Sequence, residues 1–256
     1  MNDNQSLAKP YPTVPMYGVP ISKMNMKETV RFLTSAIEEH VPHQVVTINP
    51  IILMAALDNA QFYKDLQASE LIVPDGTGVV WAANYIGQPV QERVPGIELV
   101  NELMKVGELK RWRVYMLGAS DEVIEAAAAK LQSNHPAIRI VGYRNGFFSE
   151  EEDQSVIAAI RATEPDILLV GRSTDKQDPW IAKYKQELGV PVMMGVGGTF
   201  DILSGKLKRA PKLFQRLRLE WLYRLLQEPK RFPRMLVLPK FALKVIRERD
   251  KVLKPR

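Results

Sequence analysis

Four short runs of this chain place acids, hydroxyls and amides next to glycine or proline. The most chemically loaded is Pro-Asp-Gly-Thr-Gly at 74–78. A carboxylate held in a glycine-rich turn at a strand end can take a proton from an attacking hydroxyl or bind a ligand directly. The same run also reads as a plain turn in which Asp75 caps a helix starting near Gly78, and spacing alone leaves both readings open. In VVTINP at 45–50, Thr47 and Asn49 share one face of a strand terminus, because alternate residues of a strand point the same way. Alone, such a pair is more often structural. The run GVGGTFD at 195–201 sets two adjacent glycines and Asp201 before a helix start, which suits ligand hydroxyls and equally suits a tight turn. The run GRSTDKQD at 171–178 places Lys176 and Gln177 just past another strand.

Several other chemistries are absent from the pattern. There is no cysteine, so disulfides, thiolate metal sites and cysteine nucleophiles are excluded. No D-x-D, H-E-x-x-H or G-x-S-x-G occurs, and no P-loop or G-x-G-x-x-G fingerprint. The three histidines, His40, His43 and His135, lie apart and read as surface residues. The lone Gly118 in MLGAS is a weak signal.

These residues need a scaffold, and the chain between 15 and 205 supplies a regular one. Short β-branched runs at 44–48, 71–73, 113–117, 138–141, 166–170 and 191–196 alternate with amphipathic segments at 27–39, 50–57, 96–110, 121–132, 150–163 and 179–188. Such alternation predicts an α/β fold, a largely parallel Rossmann-like sheet with helices on both faces. Ligands of such sheets sit beyond the carboxyl ends of the strands. That rule selects Asn49, Asp75, Gly118, Tyr143, the 171–177 run and the 197–201 run, where glycine permits close backbone approach and helix starts attract phosphate.

The chain reads as three parts: a loose polar leader over 1–14, an α/β catalytic domain over 15–205, and a basic helical appendage over 206–256. From residue 206 on there are 17 Lys and Arg against 4 Asp and Glu, a net of +13, while the rest of the chain carries −7. A basic tail on an acidic body points to a polyanionic surface as partner, or reads more plainly as a solvated helical face. Segment 214–227 places Leu217, Trp221, Leu222, Leu225 and Leu226 near one helical face, as in a membrane-surface helix or in ordinary packing. Aromatics are not interleaved with the basic residues as stacking platforms, which argues against nucleic acid. No run of 18 apolar residues is present, so no spanning helix is expected.

Taken in order, TINP (47–50), PDGTGVV (74–80), ERVPG (92–96), P-x-I-x-I-V-G-Y-x-x-G-F-F (136–148), KQ (176–177), GVGGTFD (195–201), RAP (209–211) and EWLYRL–EP–R–R (220–234) resemble the WecG/TagA/CpsF family, glycosyltransferase family 26. The resemblance covers roughly residues 15–249 and is nearest to the teichoic-acid members.

It implies an inverting, metal-independent transfer with no cofactor. N-acetylmannosamine would move from a UDP-sugar donor to undecaprenyl-diphosphate-linked N-acetylglucosamine through a β-1,4 linkage. The enzyme would be cytoplasmic and peripheral on the inner, anionic membrane face, with a homo-oligomer admitted and nucleic acid excluded. By the same resemblance Asp75 is the catalytic base and Thr47 its companion. Asn49, Arg93, Gln177 and Asp201 contact substrate, and position beyond the strand ends adds Gly118 and Tyr143 as substrate-binding candidates. Arg224 and Arg231 hold the donor phosphates, with Arg234 a third. GRSTDKQD departs from the family's G-L-G-x-P-K-Q-E-like run at Arg172, Ser173 and Asp175. The departure leaves room for another UDP-hexose, such as UDP-N-acetylmannosaminuronic acid or UDP-glucose. A non-catalytic nucleotide- or polyanion-binding protein is the remaining alternative.

Overall fold

The computed structural model of the chain describes residues 9–254. An antiparallel hairpin, β1 (Thr13–Met16) and β2 (Val19–Ser22), comes first. There follow α1 (Met26–Glu38), β3 (His43–Ile48), α2 (Pro50–Asp58), α3 (Ala60–Ala68), β4 (Leu71–Pro74), α4 (Thr77–Tyr85) and α5 (Gly96–Lys110). Next come β5 (Arg113–Gly118), α6 (Asp121–Asn134), β6 (Arg139–Arg144), α7 (Asp153–Ala162), β7 (Ile167–Gly171), α8 (Thr174–Leu188) and β8 (Val192–Gly195). The chain ends in five short helices: α9 (Thr199–Leu203), α10 (Lys212–Arg216), α11 (Glu220–Gln227), α12 (Phe232–Met235) and α13 (Val237–Arg247).

The six strands expected from the sequence form one sheet in the order β4-β3-β8-β7-β5-β6, and every neighbouring pair is parallel. This is the Rossmann-like α/β arrangement. Alternate strand residues go to opposite sides, which is why the strands read as nearly unbroken apolar runs. Val45, Val73, Met116, Leu169 and Met194 pack with α1, α5 and α6. Val46, Ile48 and Ile72 pack with α2, α3 and α4, while Leu117, Val170 and Met193 pack with α7 and α8.

Two boundaries differ from the expectation. The leader was expected to run to residue 14, but Tyr11 and Val14 are buried and β1 begins at Thr13; its first eight residues lie outside the described chain. Pro15 and Pro20, which face each other in the hairpin, argue against a strand in the sequence. The hairpin accommodates them because it has only two strands, and it turns through Tyr17 and Gly18, both at positive φ.

The second boundary is at 205/206. The tail is not separate from the core, since Phe241, Val245 and Val252 complete the cluster built by the hairpin, α2 and α4. The Tyr17 N–H also donates to the Val252 carbonyl. The helix expected over 214–227 is broken at Arg218, whose φ of +60° ends α10 before α11 begins. Among the described residues no helix is long and apolar enough to cross a membrane.

Candidate active site

A cleft of about 640 Å³ opens beyond the carboxyl ends of β3, β4 and β8, and the tail forms its other wall. Asp75 lies on its floor. The Asp75 and Gly76 N–H groups both donate to the Ile48 carbonyl, at 3.0 and 3.1 Å, so the turn after β4 is laced to the end of β3. Gly76 leaves no room for a side chain: an added Cβ would come within 2.8 Å of the Asn49 backbone. Asp75 does not cap α4. The N-cap there is Gly76 and no side chain caps it. Asp75 faces instead the uncapped start of α5, where the Gly96 N–H interacts with it. The ERVPG segment is brought alongside by the Val94 N–H, which donates to the Pro74 carbonyl at 2.9 Å. That contact sets Arg93 next to the acid.

Burial pushes the Asp75 carboxyl up to about 6 from its ordinary 3.8. Arg93 and the Gly96 N–H act the other way, and Glu220 and Glu98 add to the rise. A carboxylate of that strength is ionised at neutral pH and still basic enough to accept a proton from a sugar hydroxyl.

Thr47 and Asn49 stand beside it. The Thr47 hydroxyl is 3.5 Å from the Gly195 carbonyl, so its hydrogen bond to protein is weak. Asn49 accepts from the Ile51 and Ile52 N–H groups at 2.9 and 3.1 Å and caps α2. Its structural role is therefore clear, and its amide NH2 is left to the cleft. The 195–198 loop lines the next stretch. Gly197 takes a φ of +51°, and its N–H donates to Gln177 Oε1 at 3.0 Å.

The tail supplies the cations. A Cβ added to Gly198 would land on the Arg224 guanidinium, so that side chain brings its Nη2 end directly against the loop. Arg224 Nε and Arg231 Nη1 both donate to Glu228 Oε2, at 3.3 and 3.2 Å. Arg93 pairs with Glu220 at 2.5 Å, and Arg209 pairs with Glu98 on α5. Lys208 and Arg218 also line the cleft. Its apolar side comes from Ile51, Trp81, Trp221, Met235, Leu238 and Phe241.

Six of the eleven site residues expected from the sequence therefore meet in one cleft: Thr47, Asn49, Asp75, Arg93, Arg224 and Arg231. The other five do not line it. Gln177 is buried behind the 195–198 loop, shaping it rather than facing a ligand, because α8 starts at Thr174 and carries it inward. Asp201 turns to Lys206 at 3.5 Å, and Arg234 is exposed on α12. Gly118 and the half-exposed Tyr143 belong to the far half of the same edge. There the chain leaves β5 towards β6 and leaves β7 towards β8, so the connections diverge. Gly118, at φ +143°, abuts the Gly171 backbone, and Arg172 lays its guanidinium 4.0 Å over the Phe148 ring.

Lys208, Arg209, Arg218 and Glu220 were not singled out as site residues. RAP and EWLYRL carried two of these four, Arg209 and Glu220, as motif letters, but the fold-back that brings all four to the cleft has no periodic signal.

A basic carboxylate and a set of arginines at the carboxyl edge of a parallel sheet define a group-transfer enzyme acting on a phosphorylated ligand. The family described as Glycosyl transferase WecG/TagA/CpsF matches residues 14–254, and the chain belongs to it. It is similar to an N-acetylglucosaminyldiphosphoundecaprenol N-acetyl-beta-D-mannosaminyltransferase of Staphylococcus aureus (strain MW2), 37% identical over 212 residues, 83% of each chain. A protein of the same name from Bacillus subtilis (strain 168) is 34% identical over 238 residues, 92% of each. The chain is a glycosyltransferase.

Proposed function

We propose that this enzyme moves N-acetylmannosamine from UDP-N-acetylmannosamine to N-acetylglucosaminyl-diphosphoundecaprenol, forming a β-1,4 linkage with inversion, in the synthesis of a teichoic-acid-type polymer. The observation that carries the reading is the meeting of Asp75, on the body's sheet edge, with Arg224 and Arg231 of the tail in one cleft. Asp75 takes the proton of the acceptor hydroxyl as that oxygen attacks the anomeric carbon. The bond to UDP breaks, and the arginine forks receive the charge that develops on the diphosphate. The nucleoside extends from the 195–198 loop towards the β5–β7 divergence, where ligands of such sheets sit.

A polyprenyl acceptor stays in its bilayer, so the enzyme must come to it. Leu213, Leu217, Phe232, Leu236, Leu243 and Ile246 are exposed along a tail with a net charge of +13. Apolar contact together with about 1 kcal/mol per basic residue near an anionic surface supports peripheral binding at the inner face. Arg172, the departure from the family run, is engaged with Phe148 and does not line the cleft. That favours N-acetylmannosamine over an acidic donor sugar.

The test is transfer from a panel of UDP-sugars to a lipid-diphosphate acceptor, with Asp75→Asn alongside. The variant keeps the shape and loses the basicity, so turnover falls by about 10² or more. In the parent enzyme turnover climbs as pH rises through about 6, where Asp75 ionises. Normal turnover by the variant removes Asp75 from the chemistry.

A further inference from the structure

From residue 206 on, the chain has only four acids, Glu220, Glu228, Glu248 and Asp250, among 17 basic residues. One of the four, Glu220, lines the cleft, and a second, Glu228, bonds two arginines that line it. Glu228 stays within the tail, holding Arg224 and Arg231. Glu220 crosses to the body. Its carboxylate meets Arg93 Nη2 at 2.5 Å, with both side chains about one quarter exposed, at 25% for Arg93 and 26% for Glu220. Arg93 is the body's own cation beside Asp75, fixed there by the link from Val94 to Pro74.

We propose that Glu220 is a positioning residue that couples docking of the tail to the strength of the catalytic base, by engaging the Arg93 guanidinium that otherwise faces Asp75 alone. The proposal rests on the reading of Asp75 as the base. An unpaired guanidinium beside a carboxylate stabilises its charged form and leaves it a weak base. When α11 docks, Glu220 shares that guanidinium and brings a second negative charge into the same poorly solvated space. Both effects favour proton uptake by Asp75.

The charged groups that act on Asp75 are Arg93, Glu220 and Glu98, together with the Gly96 N–H. Glu98 belongs to the body and stays in place whether or not the tail is docked. Its partner Arg209 does come from the tail, but lies beyond Glu98 and does not act on Asp75 itself. Glu220 is thus the charge that changes at Asp75 when the tail moves. The consequence is ordered chemistry: the base gains strength only when Arg224 and Arg231 are also over the cleft. With the tail away, a bound donor is less exposed to attack by water.

The experiment compares the full-length enzyme with Glu220→Gln and Glu220→Asp. It reads kcat and KM against pH with a UDP-sugar and a lipid-diphosphate acceptor. Liposome sedimentation and thermal unfolding are run in parallel. Glu220→Gln should move the acid limb of the kcat profile to lower pH by roughly one unit, the effect of one nearby charge at an intermediate dielectric. Its plateau should fall several-fold, with liposome binding unchanged. Glu220→Asp keeps the charge and should keep the limb close to its original position.

An unmoved limb in Glu220→Gln, with Asp75→Asn inactive, overturns the coupling and leaves Glu220 as a latch. Equal movement in both Glu220 variants also overturns it, because charge would not be the cause. If Asp75→Asn turns over normally, the reading of the base itself fails, and the coupling with it.

Discussion

The tail is held in two different ways along its length. In α10, α11 and α12 no side chain is fully buried, and the segment meets the body through the Arg93–Glu220 ion pair and the close approach of Arg224 to Gly198, with the Arg209–Glu98 pair just ahead of α10. Past residue 236 the contacts are apolar and deep, with Phe241 at 1% exposure and Val245 and Val252 at 0%. Ala210 is buried at the near end. The arginines that line the cleft, Arg224 and Arg231, therefore ride on a strap with apolar anchors at its two ends and a polar middle. Partly exposed ion pairs contribute little each, about 0–1 kcal/mol. The middle is thus the section able to open locally while the fold stays intact. If the acceptor is the bilayer-anchored one proposed above, such an opening would admit it, and the anchored ends would bring the arginines back to the same place.

Breaking the anchor should have the largest effect. Phe241→Ala empties a fully buried site between α2, α4 and the hairpin, at a cost of about 3–5 kcal/mol. Chemical unfolding should show it as a lower midpoint with an unchanged slope. Deleting everything after Gly205 goes further, because it strips the hairpin cluster of Phe241, Val245 and Val252 together. A truncated chain that still melts as sharply and as late as the parent would show that α13 is an accessory after all.

Breaking the middle should do the reverse. Arg224→Ala with Arg231→Ala removes two forks from partly exposed positions, so stability should stay within about 0.5 kcal/mol. Transfer should nevertheless fall by about 10² or more, as the departing diphosphate loses its partners. The comparison of the two tail regions collapses if this variant also loses several kcal/mol of stability, or if it still transfers at the parental rate.

The same contrast explains what the sequence made legible. Strands buried on both faces and helices with one apolar face announce themselves through period, and all six sheet strands were readable. The turns after β3 and β4 were readable too, because Asn49 and Asp75 sit in short motifs fixed by glycine and proline. The strap was not readable in the same way. Its fold-back depends on Arg218 at a positive φ, which no residue preference announces, and on ion pairs between positions more than a hundred residues apart. Gln177 shows a further limit: its spacing after β7 was visible, but the early start of α8 that turns it away from the cleft was masked by Pro179 inside the helix.

The smallest expected effect sharpens the comparison most, because it tests whether the strap's own acid organises its cations. Arg231 is held below its ordinary range by burial and by repulsion from Arg224 and Arg234, and Glu228 opposes that repulsion. One oxygen, Glu228 Oε2, accepts from both Arg224 and Arg231. Pro229, which follows it, ends α11 and turns the chain into the short helical turn at Pro229–Arg231, so Arg224 from α11 and Arg231 from that turn both reach Glu228. Glu228→Ala removes the bridge and lets the guanidinium groups separate. Transfer should drop about two- to fivefold, in proportion to one partly exposed ion pair. Glu228→Gln keeps an accepting oxygen without the charge and should lose less. A rise in transfer or in UDP affinity in either variant would mean that Glu228 competes with the diphosphate for the arginines. The strap would then be held closed against its substrate rather than arranged for it.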